Sequence, residues 1–231
     1  FEGACQGCNI FVTSPMMVAA GAKLLPAKPG EKALQGDGVK GVLTEMHEMW
    51  AEGLIPPSAQ ADNGANFVTD FEAGKIGIQG GGGLLLSDVK KAVPNLNIGA
   101  GLLPGIEAGQ NSAFVGGDVI AIPTASAHAD LALKFIQWEM TDEAQLDGLA
   151  KNNIIPSRPA LATDKVFNDP DVLMTDKALS IGYTPYALHF NDMVNADSSP
   201  WLQMIQTAVF GGDVDGAIKT AQDAMEQIAN P

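Results

Sequence analysis

Val39, Val42, Leu43, Met46, Met49 and Trp50 return at spacings of three and four, the mark of one apolar helix face. The spacing predicts a helix over 39–52. Gly53 follows as a turn residue, and Pro56-Pro57 forbids continuation. A small, apolar stretch predicts an earlier helix within 9–25 that stops at Pro26, with a loop over 26–38. Phe67 and Phe71, four apart, place a short helix over 65–73 that Gly74 ends. There the period changes. Residues 75–79 alternate around Ile76 and Ile78 as a strand would, and a run of glycines covers 80–83. Residues 84–93 read as a helix closed by Pro94, and 97–103 as a strand ended by Pro104-Gly105. Strand, turn, helix, strand is a βαβ-like order and predicts an α/β fold.

Residues 115–122 form a third strand candidate with Gly116-Gly117 inside it. A helix is predicted over 127–140, where Leu131, Phe135 and Trp138 share a face, so Trp50 and Trp138 are both expected in the core. Thr141 is a good N-cap for a helix over 142–151, although the capping box lacks an acid at its third position. Residues 154–156 read as extended, and Pro159 and Pro170 break 158–178 into short pieces. Two helices close the chain, over 200–210 and 214–229. Pro200 suits a first helical turn, and Gly211-Gly212 stops that helix. Internal repeats are absent.

Composition narrows the function. The 231 residues carry 27 acidic and 13 basic side chains, a net charge of −14. Such a surface repels polyanions, so neither nucleic acid nor an anionic membrane surface is an expected partner. No apolar run approaches the ~20 residues that span a bilayer. The sequence begins at Phe1 without a basic or apolar leader, which fits a mature exported chain and a fragment equally.

Candidate chemistry is sparse. Cys5-Gln6-Gly7-Cys8 is a C-x-x-C, but no strand precedes it as in a thioredoxin-like site, and further cysteines for zinc are lacking. It reads as a local disulfide or two free thiols. His47-Glu48 opens like a zinc-protease motif, but residue 51 is Ala, so His47 is expected to be solvated, and no metal site is expected. Serine elbows and singled-out carboxylate pairs are missing, so no catalytic residue is assigned. The glycine run lacks the Walker and dinucleotide patterns, and no cofactor is expected. Its backbone N–H groups could still approach a ligand at a helix N-terminus. Arg158, the single arginine, is stiffened by Pro156 and Pro159 and suits bidentate hydrogen bonding or a surface salt bridge. Trp201 opens a late helix, behind Tyr183, Tyr186 and Phe190, where a ring could line a cleft and stack on a sugar.

The order of these pieces resembles a known family. Phe71-Glu72-Ala73-Gly74-Lys75-Ile76-Gly77-Ile78 with its glycine turn is similar to a segment of the extracellular solute-binding proteins of ABC importers, carbohydrate type. Leu103-Pro104-Gly105, the strand from Gly116-Gly117-Asp118 to Pro123, the helices around Trp138 and Thr141, and Ile155-Pro156-Ser157-Arg158 follow in family order. So does Phe210-Gly211-Gly212-Asp213 near the end. Leu84 stands where the family often has a tryptophan.

The resemblance implies one lobe of a periplasmic-binding-protein-like α/β fold: a small mixed sheet flanked by helices, plus C-terminal helices, over 1–231 with a weak sub-boundary near 158. The N-terminal lobe lacks a counterpart before Phe1. It implies binding rather than catalysis. A mono- or oligosaccharide is captured in an interlobe cleft and delivered to ABC permease subunits, in the periplasm or outside the cell, free or lipid-anchored. The implied ligand contacts are Gly81, Gly82, Gly83, Gly116, Gly117, Asp118 and Arg158, and Trp201 joins them as the aromatic candidate read from its place in the sequence. A single lobe would bind weakly and could self-associate through the terminal helices. The competing class is a small α/β enzyme, either a thiol redox protein using Cys5 and Cys8 or a hydrolase.

Overall fold

The computed structural model describes residues 1–230 other than Asp118, Asp164, Lys165 and Asn168, and for Pro159 the backbone alone. Among these are helices α1 (Ile10–Ala19), α2 (Asp37–Ala51), α3 (Thr69–Glu72), α4 (Gly83–Ala92) and α5 (Ala129–Glu139). Further along come α6 (Asp142–Ala144), α7 (Pro170–Ile181), α8 (Pro200–Ile205) and α9 (Val214–Ala229). Strands β1 (Leu103–Pro104) and β2 (Asn111–Ser112) pair antiparallel, Leu103 opposite Ser112. A parallel bridge joins Phe114 to Tyr183, and an antiparallel one joins Lys23 to Gln35. The chain forms two compact units. Unit 1 takes Phe1–Gly81, Leu102–Phe114 and the chain from Ile181 onward; unit 2 takes Gly82–Gly101 and Val115–Ser180. The backbone thus passes from one to the other four times, and Arg158 lies well inside unit 2.

Unit 1 is built as its apolar periods require. In α2, Val39, Val42, Leu43 and Met46 are buried, and Gly53 adopts the left-handed φ of +75° that ends the helix. The helix starts two residues earlier than expected, at Asp37, whose carboxylate favours the positive end of the helix dipole. Ser199 caps α8 by accepting from the Leu202 N–H, with Pro200 in the first turn. A wider, π-helical turn over Gln206–Phe210 carries α8 on to Gly211. Asp213 caps α9 by accepting from the Gly216 N–H, and α9 buries Ala217, Ala221, Met225 and Ala229. These helices close over Met17, Leu43, Trp201, Ile205 and Met225, each without solvent-exposed surface. Burying one such side chain is worth about 1.5–3 kcal/mol. The terminal helices, expected to present a free apolar face, therefore spend their apolar side chains on this core.

Unit 2 departs further from expectation. Ala150, Phe167 and Val172 are its buried core cluster, with Leu146, Ile155, Val166 and Leu173 around them. An ionic clasp reinforces it. Lys90 of α4 pairs with Asp169 at 2.8 Å and Asp171 at 2.7 Å, and Asp171 also accepts from the Ala100 N–H. Helix α5 forms where expected but has no buried residue; Trp138 is 52% exposed, against its expected place in the core. The strands expected over 97–102 and 115–122, and over 75–79 in unit 1, are irregular among the described residues. In unit 1, Ile78 is 90% exposed, and β1 keeps only Leu103 of its expected strand. An alternating pattern yields a strand only where a neighbouring backbone completes the ladder.

Candidate functional site

The best-defined constellation of open aromatic surface and buried polar groups in unit 1 starts at α1. Cys5 and Cys8 are joined as a disulfide, the local pairing that their spacing allowed. Gly7 between them has a φ of +68°, and a side chain there would run into Asn195. Asn9 precedes α1 and is fully buried, but its side chain does not cap the helix. Its amide oxygen instead accepts from the Trp201 indole N–H at 2.8 Å. The Asn9 carbonyl accepts from both the backbone N–H and the hydroxyl of Thr13. Pro15 stands inside α1 and offers no N–H to the Phe11 carbonyl.

Phe11 follows on this fixed turn. Ile10, Thr13, Ser14 and Met17 face inward, and Phe11 is left 51% exposed. Its ring meets Phe114 edge to face, with centroids 4.4 Å apart, and Phe114 meets Tyr183 at 6.3 Å. Tyr183 is held in turn by the Phe114 bridge and by its N–H on the Ala113 carbonyl. Burial pushes the Tyr183 phenol up to about 12, while the neighbouring Ser14 hydroxyl pulls the other way. The phenol is thus neutral at physiological pH. Gly80 packs on Val12, so the glycine run enters beside the first turn of α1. Three rings in edge contact form a stiff apolar platform with one ring open to solvent.

The residues expected from sequence are dispersed. Gly81 lies in unit 1, whereas Gly82, Gly83, Gly116, Gly117 and Arg158 lie in unit 2. Gly83 begins α4, and a side chain there would come within 2.7 Å of Thr175. Gly82 precedes it, and no side chain caps the first N–H groups of α4. Gly116 and Gly117 are exposed, and Asp118 lies outside the described residues. The Arg158 guanidinium pairs with the Asp142 carboxylate at the surface. Trp201 is wholly buried against Asn9, so its ring packs the core and reaches no solvent.

His47, expected to be solvated, is half-buried, with Nδ1 2.8 Å from the Val209 carbonyl oxygen. A groove of about 270 Å³ runs between α8 and α9, lined by Ser198, Gln203, Met204, Thr207 and Thr220. Among the described residues there is no group of three or more His, Cys, Asp or Glu side chains placed to hold a metal ion. Nor is any helix among them long and apolar enough to cross a membrane.

Comparison with known proteins defines the class. The fold matches that of two solved binding proteins at 18% identity each. One is the cyclic alpha-maltosyl-1,6-maltose binding protein from Arthrobacter globiformis, with a TM-score of 0.72 over 96% of this chain and 56% of that one. The other is the sugar-binding protein MalE from the phytopathogen Xanthomonas citri, with a TM-score of 0.78 over 99% and 57%. The architecture is therefore that of the periplasmic-binding-protein fold, and the chain spans little more than half the length of these relatives. The family model for bacterial extracellular solute-binding proteins matches residues 6–175, so this chain belongs to that family. The family is one of bacterial extracellular solute-binding proteins. Comparison with curated proteins finds no match.

Proposed function

We propose that the protein captures a mono- or oligosaccharide by stacking it on Phe11 and delivers it to the transmembrane subunits of an ABC permease. The observation that carries this reading is the half-exposed Phe11 ring braced by Phe114 and Tyr183. The saccharide class draws support from the sugar-binding proteins that share the fold. Backbone N–H groups at Gly81, Gly82, Gly83, Gly116 and Gly117 are proposed donors to sugar hydroxyls. Asp118 and Arg158 are proposed charged partners, Arg158 at the cost of its Asp142 pair. Trp201 is left out because it has no open surface.

The proposal includes a limit. This chain alone binds sugar more weakly than a protein of its relatives' full length, since those are nearly twice as long. Titration calorimetry of the chain and of the full gene product with maltose, maltotriose and the cyclic maltosyl-maltose tests both statements. Binding by the full product that weakens about tenfold in Phe11→Ala supports the reading. Absence of binding to every sugar, or binding indifferent to Phe11, sinks it. Equal affinity of the chain and the full product sinks the limit alone.

A further inference from the structure

We infer that the Cys5–Cys8 disulfide is a positioning device for Phe11, and that its reduction weakens saccharide binding. The inference rests on the reading of Phe11 as the stacking ring. Its starting point is a helix end without ordinary capping. No side-chain oxygen accepts from the first N–H groups of α1, because the Asn9 amide is committed to Trp201. No acidic residue occupies the first turn. The turn that carries Phe11 is therefore held from the preceding loop.

That loop is the disulfide ring. The Phe11 N–H donates to the Cys8 carbonyl at 3.0 Å, so the residue that carries the ring is bonded directly to a bridged cysteine. Cys5 is buried, and its N–H bonds the Glu2 carbonyl. Gly7 seats the turn against Asn195. Both sulfurs approach Gly64, itself held by its N–H on the Asp62 carboxylate. With the bridge intact, Cys8 cannot move without Cys5, and Cys5 is anchored. With the bridge cut, the Cys8 carbonyl is free to swing and the Phe11 turn loses its outer restraint. Because the bridged residues are only three apart, the bridge removes little chain entropy from the unfolded state. Its weight falls on local order more than on global stability, and loss of preorganisation lowers affinity even where every contact survives.

Cys8 is partly exposed and open to a small dithiol. Dithiothreitol supplies two electrons and two protons: the Cys5–Cys8 S–S bond breaks, each sulfur takes one hydrogen, and the reagent closes to its cyclic disulfide. The test compares oxidised protein, dithiothreitol-reduced protein and the Cys5→Ser/Cys8→Ser double variant, all in the full gene product. Maltose, maltotriose and the cyclic maltosyl-maltose serve as calorimetric probes, alongside thermal melting and amide exchange over residues 9–13.

The expected result is about tenfold weaker binding in the reduced and Ser/Ser forms, faster exchange at Phe11 and a nearly unchanged Tm. In a Phe11→Ala background, cutting the bridge changes affinity no further, a non-additivity that a merely structural bridge would not produce. Equal affinity of oxidised and reduced protein overturns the inference and leaves the sugar reading standing. So does an affinity loss that persists in full on top of Phe11→Ala. If no probe binds oxidised protein, the sugar reading fails and the inference falls with it.

Discussion

Helices α2 and α5 carry the same kind of apolar period and meet opposite fates. In unit 1, α2 buries Val39, Val42, Leu43 and Met46 beneath the terminal helices. In unit 2, α5 leaves Leu131 64%, Phe135 51% and Trp138 52% exposed. The contrast teaches that periodicity states which face of a helix seeks cover, not whether cover is present. Unit 1 unites three stretches of chain around one core, whereas unit 2 rests on a small cluster and the Lys90 clasp.

The strongest way to break the comparison is Trp201→Ala. It empties a fully buried site and strands the Asn9 amide, so it should cost unit 1 about 3–5 kcal/mol in urea unfolding. A loss under 1 kcal/mol would mean that unit 1 is no better packed than unit 2. Asp171→Ala comes next and is directed at unit 2. It should cost about 1–2 kcal/mol, less than a fully buried charged bond because Lys90 and Asp171 keep some solvent, read by amide exchange in α4 and α7.

The same clasp sets a pH window. Hydrogen bonds from Lys90 and the Ala100 N–H hold Asp171 below its ordinary value of 3.8. Its stabilisation is complete above that ordinary value and is lost as pH falls through the lowered one. Burial alone would lower Lys90, but its bonds to Asp169 and Asp171 raise it above 10.5. Its share is complete below 10.5 and is lost as pH rises through the raised value. Unit 2 should thus loosen in acid and in strong alkali, and the acid step should be absent in Asp171→Ala.

Phe11→Ala sharpens the comparison differently, by separating function from packing. Sugar affinity should fall about tenfold, near 1.4 kcal/mol, while the melting temperature moves little because the ring is already half open. The smallest expected effect is Phe135→Ala on α5, within about 0.5 kcal/mol of wild type by chemical denaturation, as for an exposed position. A larger loss would show that α5 is covered in solution.

Helices with strong local signals were legible in the sequence. The ends of α2, α8 and α9 followed from Gly53, Pro200 and Gly211-Gly212, and Thr141 caps α6 by accepting from the Ala144 N–H, as its residue type implied. The strands over 75–79, 97–102 and 115–122 were not, because alternation is a request for a partner that residues elsewhere must answer. Arg158 and the glycine turns stand out by residue type, but their distribution between two units was not legible from local pattern. Phe11 went unseen for a different reason. The stretch that becomes α1 is apolar on nearly every side, so no period distinguishes its one exposed ring from the buried ones around it.

The backbone's four passages between the units bear on how the protein comes into being. Unit 1 joins Asn9 to Trp201 across a separation of 192 residues. A ribosome that has released α1 and α2 has not yet made α8 or α9, and this core cannot shut until those two helices have emerged. Long-range closure of this kind is slow. Until then the apolar faces of α1 and α2 lack the cover that α8 and α9 give them, so the early part of unit 1 stays open while the chain is being made.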